Sequence, residues 1–295
     1  MTNTIEAPFD TPSGLLPATV GVLGGGRMGA GIAHAFLLNG SKVTVVERDD
    51  DSARGAQKRV AASVAASFDR GTVSGDRDEV LKRFDTSTDY AAFASCDLVV
   101  EAVPEDAKLK ATALSAVAEH VSRHAYLATN TSSLSVSRLA EALPRPESFL
   151  GLHFFNPVPA STLIEVVVGE KTTEETVAAA RRWVSGLGKT AVVVKDAPGF
   201  ASSRLGVVIA LEAMRMVEEG VASAEDIDNA MVLGYKHPTG PLKTTDIVGL
   251  DVRLGIAEYL HATLGERFAP PQILRDMVAA GDLGRKTGKG FYNWN

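Results

Sequence analysis

Through roughly the first two thirds of the chain, short β-branched apolar runs alternate with Ala-rich stretches whose apolar residues recur every three to four positions. The runs read as buried strands and the stretches as amphipathic helices, so the alternation predicts a mostly parallel, doubly wound sheet covered by helices. The predicted strands are Thr19 to Leu23, Val43 to Glu47, Leu98 to Ala102, Tyr126 to Thr129, Phe149 to His153, Leu163 to Val168 and Thr190 to Val194. Helices are predicted from Met28 to Asn39, stopped by Gly40, and from Asp50 to Arg70, stopped by Gly71. Pro104 is expected to open another helix at a favoured first-turn position, and Ser132 or Ser133 to cap one over Ser137 to Ala142.

After Lys195-Asp196-Ala197-Pro198-Gly199 the strand pattern stops. Leu205, Val208, Ile209, Ala213 and Met216 have helical spacing, Gly220 closes that helix, and Ser223 with Asp226 resembles a capping box for the next. Further helices are predicted over Asp251 to Leu264 and Gln272 to Ala280. The expected organisation is a loosely held leader over 1–17, an α/β domain over 18–197 and a smaller all-helical domain over 198–295. The leader carries acidic residues and prolines but no Lys or Arg, unlike a signal or transit peptide. No stretch approaches the roughly 18 apolar residues of a membrane helix, so no membrane partner is expected.

Composition narrows the class. A length of 295 residues suits two cores. The net charge of -6 gives no broad electrostatic footprint for nucleic acid, so an anionic ligand must be met by local groups. The single cysteine, Cys96, excludes an intrachain disulfide and leads into an apolar run, which favours buried packing and a reducing, cytoplasmic setting.

Candidate chemistry gathers at the predicted strand ends. Gly24, Gly26 and Gly29 form G-x-G-x-x-G between the first strand and its helix, the pattern of a dinucleotide pyrophosphate turn. Glu47, ending the second strand, can accept from both ribose hydroxyls and would repel a 2′-phosphate, so NAD is expected over NADP. Neighbouring Arg48 is the counter-signal, outweighed by the reading as a solvated arginine. Val99-Val100-Glu101-Ala102-Val103-Pro104-Glu105 and Ala128-Thr129-Asn130-Thr131-Ser132-Ser133 lie just past two further strands, where ligands bind in such sheets. His153 ends one apolar segment, and Glu165 interrupts the next. A buried carboxylate needs a partner, and the imidazole twelve residues earlier is the nearest candidate in sequence.

Taken in order, GVLGGGRMGAGIA, VEAVPED, TNTSSLS, GLHFFNP with Glu165, DAPGF, HPTGPL, DIVGLD and GRKTGKGFY resemble the 3-hydroxyacyl-CoA dehydrogenase family, particularly its short 3-hydroxybutyryl-CoA members, from Ala18 to the C-terminus. The resemblance implies that His153 removes the 3-hydroxyl proton while hydride leaves for NAD, that Glu165 holds the imidazole, and that Ser132 hydrogen-bonds the reacting oxygen. No metal is implied. The implied cofactor set is Gly24, Gly26, Met28, Gly29, Glu47, Glu105, Lys110 and Asn130, with Glu105 and Lys110 near the nicotinamide end. Ser132 and Asn156 fall on the substrate side, and Ser63 and Arg70 match positions that contact CoA. Ser203 departs from the family, which usually has asparagine there in its substrate-orienting set; a serine has shorter reach and lacks the second amide group. The resemblance also implies a homodimer paired through the helical domain, which is expected to close over the sheet crest and bring Ser203 to the reaction. The late basic cluster Arg285, Lys286 and Lys289 reads as a structural turn. Two other readings stand beside this one: a dehydrogenase of a small hydroxy acid or sugar acid without CoA, and a dinucleotide-binding regulator without chemistry.

Overall fold

The computed structural model describes residues 14–294, in two compact units that divide between Asp196 and Ala197. Residues 1–13, most of the expected leader, lie outside the described residues. Its last residues are held: Leu16 packs against the core of the first unit, and the Pro17 carbonyl accepts from Ser41 Oγ at 2.7 Å.

Eight strands build one sheet in the first unit: β1 (Thr19–Leu23), β2 (Lys42–Val46), β3 (Phe84–Ser87), β4 (Leu98–Glu101), β5 (Tyr126–Thr129), β6 (Phe149–Phe154), β7 (Leu163–Val168) and β8 (Thr190–Lys195). Their order is β3-β2-β1-β4-β5-β6-β7-β8, and every pair is parallel except β6 with β7. The order reverses at β1, which leaves a crevice at the carboxyl ends of β1 and β4. Val20, Val22, Val43, Val45, Leu98 and Val100 are fully buried, which accounts for the β-branched runs seen in the sequence. The seven predicted strands are present within a residue or two at their ends. β3 was not anticipated because Phe-Asp-Thr-Ser forms a half-exposed edge with no apolar run.

The helices of this unit are α1 (Arg27–Leu38), α2 (Asp50–Asp69), α3 (Arg77–Leu81), α4 (Ala107–Ala118), α5 (Val136–Ala140) and α6 (Glu174–Gly186). Two expectations about helix starts are corrected. Pro104 does not open α4; Asp106 caps it, accepting from the Leu109 amide at 2.7 Å and so meeting one of the orphan first-turn donors. Neither Ser132 nor Ser133 caps α5, because Ser135 does so through Arg138 N. Cys96 is 4% exposed, and burial raises its thiol to about 11, which keeps it protonated as a packing residue.

The second unit is helical: α7 (Ser202–Glu218), α8 (Ala224–Asn229), α9 (Pro241–Val248), α10 (Leu250–Leu264) and α11 (Gln272–Ala279), around Leu211, Met214, Leu242, Leu250, Leu260 and Leu274. Ser223 caps α8 as its spacing suggested. The carboxylate of Asp246, fully buried, accepts from the amides of Phe291 and Tyr292 and from the Trp294 indole, all at 2.8 to 2.9 Å. Asp228 likewise receives the Leu242 and Lys243 amides and the Tyr292 hydroxyl. Lys286 pairs with Asp251 and Lys289 with Asp282, so the basic cluster forms part of this folded turn. Among the described residues, no helix is long and apolar enough to cross a membrane.

Candidate active site

The turn from β1 into α1 has the shape that its glycines suggest. Gly24 adopts φ +90°, a conformation that L side chains rarely take. A Cβ on Gly29 would fall 1.7 Å from the Gly24 carbonyl oxygen, so only glycine lets the helix start this close to the strand. Gly26 faces open space, and no side chain caps the first turn of α1. Those oriented amides and the clear approach fit a dinucleotide pyrophosphate. Glu47 lies just past β2 with Oε1 accepting from the Gly25 amide at 2.7 Å, which puts its carboxylate beside the turn. The Arg48 side chain is 85% exposed and pairs with Asp49, in keeping with a solvated arginine. Met28 is half-buried against the core under the turn.

The single antiparallel pairing in the sheet brings together the two residues singled out in the sequence. In the β6/β7 register His153 stands opposite Glu165, and His153 Nδ1 lies 2.8 Å from Glu165 Oε2. Directly opposite residues share a face of the sheet, so a separation of twelve in sequence becomes one hydrogen bond. Glu165 is fully buried and His153 is 7% exposed, with the Phe155 ring 4.4 Å from the imidazole, centroid to centroid. A carboxylate in that position accepts the Nδ1 proton and selects the tautomer with its lone pair on Nε2. Asn130 supports the same strand end, its Oδ1 accepting from the Phe154 amide at 2.9 Å.

A second cluster lies past β4 and β5. Glu105 Oε1 accepts from Thr131 Oγ1 at 2.6 Å, from the Ser132 amide at 2.8 Å and from Ser132 Oγ at 3.2 Å, while Oε2 lies 3.2 Å from Lys110 Nζ. Burial alone would raise the Glu105 carboxyl. The Lys110 ammonium, the Thr131 hydroxyl and the Ser132 amide outweigh it and hold that carboxyl below the usual carboxylate range. Lys110 is 1% exposed. The loop carrying Ser132 is thus anchored to an ionised Glu105.

The other expected residues lie on further elements. Asn156 is exposed in the loop after β6. Ser63 and Arg70 lie seven residues apart on α2 and its C-cap, which is two turns and therefore one face. Ser203 is in the first turn of α7 in the second unit. Thr131 has no role in the sequence reading, and neither does Asp196, which accepts from Ser135 Oγ at 2.7 Å and the Ser137 amide at 2.8 Å and so ties the start of α5 to the end of β8. The TNTSSLS run, dense in hydroxyls, was the available sign of such a braced loop.

Both units match known proteins. Residues 19–197 match the NAD binding domain of 3-hydroxyacyl-CoA dehydrogenase, and residues 199–294 match the C-terminal domain of the same enzyme. A probable 3-hydroxybutyryl-CoA dehydrogenase of Deinococcus radiodurans is 40% identical over 275 residues, covering 93% of this chain and 99% of that protein. The mitochondrial hydroxyacyl-coenzyme A dehydrogenase of Sus scrofa is 39% identical, covering 95% of this chain and 92% of that protein. The crystal structure of (S)-3-hydroxybutyryl-CoA dehydrogenase from Ralstonia eutropha superposes with a TM-score of 0.91 at 38% identity, covering 95% of this chain and 99% of that one. With both units matched along nearly their whole length, the chain belongs to the 3-hydroxyacyl-CoA dehydrogenase family.

Proposed function

We propose that this chain interconverts (S)-3-hydroxyacyl-CoA, 3-hydroxybutyryl-CoA in the first place, and the corresponding 3-ketoacyl-CoA, with NAD as the redox partner. The observation that carries the reading is the buried His153–Glu165 pair at 2.8 Å. His153 Nε2 takes the proton of the 3-hydroxyl as the C3–H bond gives up its hydride, and the C–O bond becomes a carbonyl. Bound at the glycine turn, NAD would supply the hydride acceptor. Glu165 stabilises the imidazolium that forms and keeps the ring oriented. Ser132 hydrogen-bonds the reacting oxygen, and Ser63 and Arg70, on one face of α2, meet the nucleotide part of CoA; an arginine is a competent phosphate ligand. In the reverse direction His153 returns the proton.

The helical unit also presents Leu205 and Val252, 60% and 44% exposed, on α7 and α10. Such apolar positions support pairing of two copies through this unit, in a cytoplasmic homodimer. NADH oxidation with acetoacetyl-CoA against free acetoacetate tests the substrate class. Turnover restricted to the thioester is expected. Equal turnover of the free acid would favour a hydroxy-acid dehydrogenase, and NADH binding without turnover of any acyl-CoA a regulator.

A further inference from the structure

The inner face of α10 carries Leu250, Ala257 and Leu260, all fully buried, and among them Arg253, 8% exposed. A cation at such a core position is costly without a partner. Arg253 Nε is enclosed with no acceptor among the described residues. The acidic residues of the same helix are engaged elsewhere, Asp251 with Lys286 at 2.5 Å and Glu258 with Arg275 at 2.7 Å. Burial lowers the guanidinium to about 10 with no carboxylate to offset it, so the group keeps its charge at neutral pH.

The room for this side chain comes from α7. A Cβ on Gly206 would lie 3.4 Å from Arg253 Nη1 and 3.9 Å from Nη2. Gly206 has no positive φ to require it, and a glycine inside a helix costs stability relative to alanine. Its effect here is to leave that side of the guanidinium uncovered. Ser203 lies three residues earlier on α7, which makes it the neighbour of Gly206 on one helix face. Ser203 is also the position where this chain lacks the amide of the family's usual asparagine.

We propose that Arg253, beside Ser203, is an anion subsite that selects acyl-CoA substrates whose acyl chain ends in a carboxylate. The inference rests on the functional reading above in taking Ser203 to face the acyl part of the substrate. That reading gives the nucleotide part of CoA to α2, which leaves the acyl part as the source of an anion at Ser203. The forked donors of a guanidinium match the two oxygens of a carboxylate, and the ligand's charge cancels one that the protein leaves unpaired. A chain ending in a methyl group offers neither, so the subsite discriminates by a missing partner and not by size.

The test measures kcat/KM with NADH for 3-ketoadipyl-CoA and 3-ketohexanoyl-CoA, whose chains end in a carboxylate and a methyl group, in wild type and Arg253→Met. Wild type is expected to favour the carboxylate by about tenfold or more, and Arg253→Met to lower that ratio by about 10²-fold, the scale of a lost charge-assisted pair. General damage cancels in the ratio. A ratio that the substitution leaves unchanged, or a wild type that favours the methyl chain, overturns the proposal. A rise in KM that is equal for both CoA thioesters and absent with their N-acetylcysteamine counterparts would assign the guanidinium to a CoA phosphate, and overturns it as well. Independently of turnover, millimolar glutarate is expected to raise the melting temperature of wild type and not of Arg253→Met. Equal shifts in both, or none in either, overturn the subsite. If wild type reduces no 3-ketoacyl-CoA at all, the functional reading falls, and the glutarate melts alone decide whether Arg253 binds a carboxylate.

Discussion

Replacing Glu165 by glutamine removes one charge from the candidate site and nearly nothing else. The side chain is fully buried, the replacement has almost the same volume, and its Oε1 can still accept the His153 Nδ1 proton now held at 2.8 Å. What disappears is the attraction between the carboxylate and the imidazolium formed during proton transfer. With the ring charge centred about 4 Å from the carboxylate and an effective dielectric of about 20, that attraction is about 4 kcal/mol. A retained neutral hydrogen bond returns about 1 kcal/mol. The remaining loss of about 3 kcal/mol corresponds to about 10²-fold in kcat. The assay is steady-state NADH oxidation with acetoacetyl-CoA near neutral pH, with NADH affinity and melting temperature measured alongside. KM is expected to change little, because the interaction develops with the transition state. A folded Glu165→Gln enzyme with kcat within about threefold of wild type would refute the pairing argument.

Three other outcomes follow from particular residues. Burial, with the positive charges of Arg70 and Lys189, lowers His34 from 6.5 to about 4, so between those values the unfolded chain binds a proton that the folded chain does not. Stability is therefore lost as pH falls through that window, by at most about 3 kcal/mol from this group, and urea melts of His34→Gln should show a shallower acid loss than wild type; an identical loss would contradict the assignment. Arg253 is 8% exposed on α10 and its Nε has no hydrogen-bond partner among the described residues, so Arg253→Met should raise the stability of the protein by about 1–4 kcal/mol in urea melts, and a fall would contradict that reading. Ser203→Asn, which restores the family's usual residue, should shift kcat and KM across 3-ketoacyl-CoA lengths, and unchanged constants at every length would remove Ser203 from the substrate site.

Much of this was legible in the sequence where a pattern has one physical cause. Most predicted strands are buried runs, the half-exposed β8 excepted, and the G-x-G-x-x-G turn includes Gly24, with φ above zero, and Gly29, where a Cβ has no room. His153 and Glu165 could be paired in advance because a carboxylate in an apolar strand demands a partner. Contacts to backbone donors were not legible, since an amide carries no residue-type mark. Asp246 reaches the Phe291 and Tyr292 amides across 45 and 46 residues, and nothing in DIVGLD announces that destination. Glu101 was hidden for a related reason. Its place in VEAVPED suggested the crest, but only the fold shows that it lies beneath Lys110 while Glu105 lies beside the Ser132 loop.

The most direct test of the central claim is kcat for NADH-dependent reduction of acetoacetyl-CoA by His153→Ala against wild type, with NADH binding confirmed in both. Loss of general acid–base catalysis predicts a fall of about 10²–10⁴-fold with NADH affinity retained. A rate close to wild type would show that the proton passes through another group, and that the His153–Glu165 pair is structural.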